Sequence, residues 1–538
     1  MELPYIILFI LPPLAFLYTL IRRWRFNRFR HLPQAYPNSL LFGHIYLFAR
    51  GYKKFGDTRR HVDYILEDLV ESAGRPDILV LDMRPLSYGM TVVTSHDVAE
   101  QISKATKMYP YSVTKSPTLR QYERLIGKQS LLVEEGESWK ALRKRFNPGF
   151  APSHLLSLLP QILSKTSIFV SKLDALSSSG QEFELDSLCT NITFDIIGKV
   201  VADLDFHAQG EDNAQRHEIV KYYNELGSTY SDTGRIPLWL NARKLVMRLW
   251  YSYLAERAIK QCIRSKFSET EEAENSTTKA TRGPQDRSTT ADQVRTFLFA
   301  GHDTTSILLQ RLLYTLSIHP KCLAKIREEH EAVFGSEDPI DVFRKRPDEA
   351  IKALSYTSAC IKEALRLWPP AGSARMSPPG RDLRVRLSTG EDVCVDGTIL
   401  YLCPYLIQRD PKVYGETAND FVPERWLGDT DTSAEKKDEV GSQTGASKIP
   451  ISAWRPFERG PRNCIGQELA NLEARAILAC VMRRYDFVKV GAGEVEVDEK
   501  GKPILDEKGR YRTKSELFNS QIVTAKPFDR CRMRVKRI

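Results

Sequence analysis

Cysteine is scarce in this chain. Nine occur among 538 residues, an odd number, and no two stand as a Cys-x-x-Cys pair. That excludes a disulfide-stapled scaffold and a zinc module of paired cysteines. It also suits a reducing cytosol. No internal repeat is present, which excludes a solenoid or propeller array. Charge is nearly balanced, with 78 Lys and Arg against 68 Asp and Glu, a net +10. The first 30 residues supply +4 of this and the last nine +5, leaving +1 for everything between. A nucleic-acid partner therefore loses its support, because no basic stripe exists apart from the two ends. What the chain does have is the composition of a folded protein, 42% apolar and 27% charged. That rules out a disordered, collagen-like or coiled-coil chain.

One long apolar run stands out. Residues 3–20 carry no charge and end in Ile21-Arg22-Arg23. Eighteen residues reach the lower limit for a membrane span. With Glu2 at the start and no small-residue cleavage site, the run predicts an uncleaved signal anchor over residues 1–21. Arg22, Arg23, Arg25, Arg28 and Arg30 follow, interleaved with Trp24, Phe26 and Phe29. The positive-inside rule places them, and all that follows, in the cytosol. Pro33, Pro37 and Gly43 predict a stiff hinge over 22–45. Residues 46–538 then form one large domain.

That domain reads as helix-rich, with strand-like stretches at 78–81, 383–387, 392–395 and 533–536. The polar segments 268–289 and 428–447 predict surface loops. Thr290-Ala-Asp-Gln293 reads as a capping box opening a helix over 290–319 that Pro320 stops. Ala300-Gly301-His302-Asp303-Thr304-Thr305 falls mid-helix, where Gly and Thr weaken the ladder. It is either a packing notch or a groove for a ligand. The alternating Arg-Cys-Arg-Met-Arg-Val-Lys at 530–536 predicts an exposed edge strand guarded by charge.

Three motifs carry chemistry. Glu363 and Arg366 share a helix face at i and i+3, inside an apolar segment ending in Pro369-Pro370. Arg425, in Phe421-Val-Pro-Glu-Arg425-Trp426, is a second partner for Glu363. The third is Phe457-Glu-Arg-Gly460-Pro-Arg462-Asn-Cys464-Ile-Gly466. A helical stripe follows Cys464, which predicts its thiol at a helix amino terminus, where the dipole favours a thiolate. Gly460 and Gly466 allow close approach of a large flat group, and Arg462 can meet an anion. The thiol is a nucleophile or a metal ligand. With no histidine nearby to act as base, a thiolate ligand to haem iron fits better.

The pattern F-x-x-G-x-R-x-C-x-G resembles the haem-binding signature of the cytochrome P-450 monooxygenases. The E-x-x-R pair, the Pro-Glu-Arg-Trp and Ala-Gly-x-Asp-Thr-Thr segments and Trp139-Lys-Ala-Leu-Arg143 match in the family's order. The anchor and the Ala-Gly-His-Asp-Thr-Thr-Ser segment resemble fungal microsomal members, those of secondary metabolism. The resemblance implies a mainly α (α+β) fold with small β-sheets and a haem b cofactor, with Cys464 as proximal iron ligand. Trp139, Arg143, Arg375 and Arg462 would hold the haem propionates, and Phe457, Gly460 and Gly466 would pack about the haem. Glu363, Arg366 and Arg425 would form a structural charge triad. Thr304 and Asp303 would serve the distal proton path.

Electrons would come from NADPH through NADPH-cytochrome P-450 reductase, with cytochrome b5 as an optional second donor, at the endoplasmic reticulum membrane. O2 and a hydrophobic polyketide or terpenoid would be the substrates. Residues 109–131, 297–304, 371–376 and the surroundings of Phe518 would line the pocket. Lys140, Lys144, Arg145, Arg455 and Arg459 would face the acidic reductase. The alternative within the same family is an isomerase or dehydratase acting on a peroxide, which has no need of the Thr304–Asp303 relay. One departure is that 268–289 lacks the apolar helical segment common before the long helix of fungal relatives.

Overall fold

Apolar residues recur at helical spacing between Pro and Gly punctuation over most of the chain, so helices dominate. The computed structural model describes residues 3–210, 215–230, 241–273, 284–428, 439–440 and 449–538. Of these, 3–10, 267–273, 284–288 and 439–440 are described as backbone only. The expected mainly α (α+β) architecture is present, many helices with small sheets. The chain divides into two compact units. One comprises residues 1–117, 372–410 and 452–462, the other 118–371, 411–451 and 463–538.

The first unit begins with α1 (Leu3–Phe26), which contains Pro12 and Pro13. Leu11, Leu14, Phe16, Leu17 and Leu20 on it are all exposed. Among the described residues, no helix is long and apolar enough to cross a membrane. Arg25 is not a loose member of a basic flank. It is fully buried, donates to the carbonyls of Leu40 and Arg84 at 3.0 and 2.9 Å, and pairs with Asp82 at 3.0 Å. Burial pushes the Asp82 carboxyl up, but Arg84 and Arg25 together bring it down to about 2.

Asp82 ends the first strand of a four-stranded sheet, in spatial order Ile78–Asp82, Gly89–Val93, Ile399–Leu402, Ser373–Met376. The pairings are antiparallel, parallel and antiparallel, with Val80 opposite Thr91, Met90 beside Ile399 and Arg375 opposite Leu400. Apolar clusters cover both faces, so strand Ile78–Asp82 is buried throughout instead of alternating. The other strand-like stretches pair as Arg384–Arg386 with Asp392–Cys394.

The second unit holds α2 (Gly136–Phe146), α3 (Leu185–Ala202), α4 (Ala242–Ala273), α5 (Pro284–Ile318), α6 (Ser355–Leu367) and α7 (Gln467–Val481). Helix α5, 35 residues long, spans about 50 Å at 1.5 Å per residue and packs along α3. Gly301 is what lets them close: a Cβ there would lie 2.5 Å from the Ile197 side chain.

Two expectations need correction here. Thr290 does not open α5, which is already helical from Pro284. Gln293 reaches across to accept from the Leu131 amide at 2.9 Å instead of closing a capping box. The segment 268–289 is not a plain loop, since α4 runs to Ala273 and α5 begins at Pro284; residues 274–283 lie outside the described residues. Of 428–447, only Gly428 and Glu439–Val440 are described, the latter pairing with Ile449–Pro450.

The C-terminal strand Arg532–Arg537 is not an edge either. It is the middle strand of a sheet ordered Tyr485–Lys489, Arg532–Arg537, Phe183–Glu184. Its arginines find acids within the same unit: Arg532 and Arg534 meet Glu182, Arg537 meets Asp174, and Arg530 just before the strand meets Glu184. Four arginines of the last nine residues thus pair with Glu182, Glu184 and Asp174.

Candidate active site

Of the nine cysteines, Cys464 alone is exposed. Burial pushes other thiols up: those of Cys480 and Cys531 to about 12, and those of Cys189, Cys360 and Cys403 well above the ordinary thiol. Cys262 and Cys394 are half-buried, and Cys464 is the exposed sulfur. It does not sit in the first turn of a helix, as the stripe after it suggests. Gly466 caps α7, and Cys464 lies two residues before the cap.

Helix α2 holds that loop from the side. Arg143 donates to the Asn463 carbonyl at 2.7 Å and to Asn463 Oδ1 at 2.9 Å. Burial depresses the Arg143 guanidinium, while the neighbouring Cys464 acts the other way. Trp139 is buried one turn earlier on the same helix. Opposite, Phe297, Ala300, Gly301 and Thr304 of α5 line a cleft with Ile465 and Gly466. The loop after the thiol therefore meets the weakened stretch of α5. Gly301 is a packing notch against Ile197, and its neighbours on α5 line a cleft.

Thr304 Oγ donates to the Ala300 carbonyl at 2.8 Å. The His302 carbonyl accepts from Thr193 Oγ of α3 at 2.8 Å. The His302 ring is buried, which depresses its pKa. Asp303 does not join Thr304. Its carboxylate meets Lys526 Nζ at 2.7 Å and accepts from Thr524 Oγ. Sequence reasoning missed Lys526 and Thr524 because they lie more than 200 residues away.

The charge triad is assembled as expected, and more completely. Both oxygens of Glu363 are used. Arg366 donates at 2.9 and 2.8 Å, Arg425 at 3.0 Å, Trp426 Nε1 at 2.9 Å and the Val422 amide at 3.0 Å. Glu363 and Arg366 are fully buried, so this carboxylate is satisfied by groups that were brought to it. Trp426, where the family often has Phe, supplies a donor that Phe lacks.

In the first unit, Arg375 is fully buried on its strand and donates through Nη1 to Ser112 Oγ at 3.0 Å and to the Val113 carbonyl at 3.3 Å. Phe457 stands edge-on to Trp454, ring centroids 6.0 Å apart, and Arg462 is buried. Gly460 has φ +74°, and a Cβ there would lie 2.1 Å from the Ser103 carbonyl oxygen. The close neighbour that requires glycine at 460 is therefore backbone. Two residues proposed for a basic docking face are committed internally: Arg455 is buried against Glu458 and Ser103, and Arg459 pairs with Glu100 at 2.9 Å.

The cytochrome P450 family model matches residues 78–513. The chain belongs to the cytochrome P450 family. It is 30% identical to the cytochrome P450 monooxygenase acrF of Aspergillus aculeatus over 76% of this chain and 84% of that one. It is 28% identical to the cytochrome P450 monooxygenase polC of Polytolypa hystricis over 84% and 81%. A cytochrome P450 4V2 of Pongo abelii is 26% identical over 90% and 89%. This cytochrome P450 is accordingly an oxidoreductase, a monooxygenase that uses haem, O2 and a redox partner. The family's haem fits the residues present. Within the second unit Cys464 is exposed, Arg143 holds its loop, and the residues after it line a cleft with α5.

Proposed function

We propose that this cytochrome P450 inserts one oxygen atom from O2 into a hydrophobic small molecule, or desaturates it, in fungal secondary metabolism. The observation that carries the site is the single exposed thiol of Cys464, in a loop gripped by Arg143 and opening onto the cleft of α5. Haem bound there supplies the oxygen-activating chemistry. Cys464 would ligate its iron as thiolate, whose electron donation favours O–O cleavage. Arg375, Arg462, Arg143 and Trp139 would hold the propionates. Phe457, Gly460 and Gly466 would shape the sulfur side. Thr304 Oγ, now bonded to the Ala300 carbonyl, would turn to hold water and pass a proton, and Asp303 would supply that proton from solvent.

Residues 1–21 would anchor the protein in the endoplasmic reticulum membrane, with 22–45 as a connector and 46–538 as the cytosolic catalytic domain. Support comes from the exposed apolar side chains of α1 and the exposed Arg22 and Arg23 beyond them. Lys140, Lys144 and Arg145, exposed on α2, would receive NADPH-cytochrome P450 reductase and cytochrome b5.

The reaction is tested by reconstituting the full chain with a fungal reductase and NADPH and supplying polyketide and terpenoid intermediates. Products heavier by one oxygen, labelled from 18O2, or lighter by two hydrogens support the reading. Isomerised or dehydrated products formed from peroxides without NADPH would refute it.

A further inference from the structure

Helices α4 and α5 pack together, and each buries an arginine: Arg248 of α4 is 5% exposed and Arg295 of α5 is 4% exposed. Their partners differ. Arg295 has two carboxylates, Glu256 at 3.5 Å and Asp292 at 4.0 Å, and it donates to Ser252 Oγ at 3.2 Å and to the Arg124 carbonyl. Both acids are engaged elsewhere as well, Glu256 with Lys260 at 2.5 Å and Asp292 with the Gln129 amide at 2.9 Å. Arg248 has only neutral partners. Its Nε donates to Thr229 Oγ at 3.2 Å and its Nη2 to the Thr229 carbonyl at 2.6 Å, and the guanidinium carbon lies 3.7 Å from the centre of the Tyr230 ring. Tyr122 flanks Tyr230, with ring centroids 5.6 Å apart. Burial pushes both phenols up, so neither is an anion at neutral pH. Burial also depresses the Arg248 guanidinium, and among the described residues no carboxylate acts the other way. An arginine stays protonated in a protein, and a buried charge is costly unless it is paired.

We infer that Arg248 is a specificity-determining residue that binds a carboxylate of the substrate, so that this enzyme takes hydrophobic carboxylic acids as their anions. The inference rests on the proposed monooxygenase reading. Thr229 uses the side-on edge of the guanidinium, Nε with one hydrogen of Nη2. The end-on edge, Nη1 with the second hydrogen of Nη2, carries two parallel N–H groups, which match a carboxylate. One positive charge calls for one negative charge, and the tyrosine rings beside it exclude water, which strengthens the pairing. The position also sets a length. Ser252, one turn after Arg248 on α4, holds Arg295. Arg295 stands nine residues before Thr304, about 14 Å along α5. An acid anchored at this level of α5 reaches the cleft beside Thr304 only if its apolar body spans about that distance. A long-chain or polycyclic acid fits, and a small acid does not.

The test measures binding of tetradecanoic, hexadecanoic and abietic acids and of their methyl esters to the haem-loaded full chain, by calorimetry and by the shift of the Soret band. Wild type is compared with Arg248→Met, Arg248→Lys and Thr229→Asp, each checked for retained haem and helical circular dichroism. Wild type should bind at least one acid about 10- to 100-fold more tightly than its ester, the effect of a hydrogen-bonded charge pair. Arg248→Met should bring that acid to the level of its ester. Arg248→Lys should keep part of the preference, since it holds the charge without the fork. Thr229→Asp puts a carboxylate where Arg248 Nε already donates, so it should abolish the preference and raise the thermal midpoint. Equal affinity for acid and ester in wild type, no binding of any acid, or a preference that survives in both Arg248→Met and Thr229→Asp would overturn the inference. Tightly bound acids that yield no oxidised product with reductase, NADPH and O2 would instead overturn the monooxygenase reading, so the two failures are distinct.

Discussion

Glu473 of α7 is buried, and its Oε2 makes no hydrogen bond. Burial pushes its carboxyl well above 4.5, the ordinary value. The unfolded chain therefore loses this proton first. The proton's contribution to stability is full below about pH 4.5 and declines as pH rises toward the raised folded value, by about 1.4 kcal/mol per unit. Glu473→Met removes the carboxyl at similar volume. Thermal unfolding between pH 5 and 8 should show a shallower decline for the variant than for wild type; equal slopes would contradict a neutral buried acid. Glu363 is the opposite case, a buried carboxylate with every lone pair engaged. Trp426→Phe withdraws one donor to a charged acceptor and should cost about 1.5–3 kcal/mol. Glu363→Gln should cost more, about 3–5 kcal/mol, because two guanidiniums lose their anion. Both are read from the thermal midpoint. The triad was legible because Glu363 and Arg366 are helix neighbours and Arg425 stands in a recognisable segment. The Lys526–Asp303 pair was not, because only the folded chain brings a C-terminal hairpin to the middle of α5.

At the scale of elements, the contact between α5 and α3 turns on one hydrogen atom. Gly301→Ala drives a methyl into Ile197 and should destabilise by about 1–3 kcal/mol, as overpacking does. Ile197→Ala in the same chain should recover part of that loss. Urea midpoints of the two single variants and the double variant check this, and strict additivity would contradict a direct clash. Periodicity located α5 but misplaced its start, because a capping-box pattern at Thr290 also occurs inside a helix whose Gln293 has a better partner in the Leu131 amide. The C-terminal strand was found, but its alternating arginines suggested a solvent edge. Charge pattern alone cannot distinguish water from the Glu182 and Asp174 side chains that these arginines meet.

For the whole molecule, the family match and the exposed Cys464 point to a haem enzyme, and the chain begins in an apolar helix. Arg25 complicates the join, since a buried pair with Asp82 makes the end of α1 part of the first unit. A chain lacking residues 1–21 keeps Arg25. It should retain its haem spectrum and move from the alkali-resistant membrane pellet to the supernatant; loss of haem on this truncation would contradict the proposed anchor. The composition and the Cys464 segment made the enzyme class readable. The two-unit division was not, because it depends on segments 372–410 and 452–462 returning to the first unit.

The central claim is that Cys464 carries the iron. It is tested most directly by the absorption spectrum of the purified, reduced, carbon-monoxide-bound protein. Wild type should show the strongly red-shifted Soret band of thiolate ligation, and Cys464→Ala should lack it while keeping its helical circular dichroism. The same band in Cys464→Ala, or its absence from folded, haem-loaded wild type, would contradict the account.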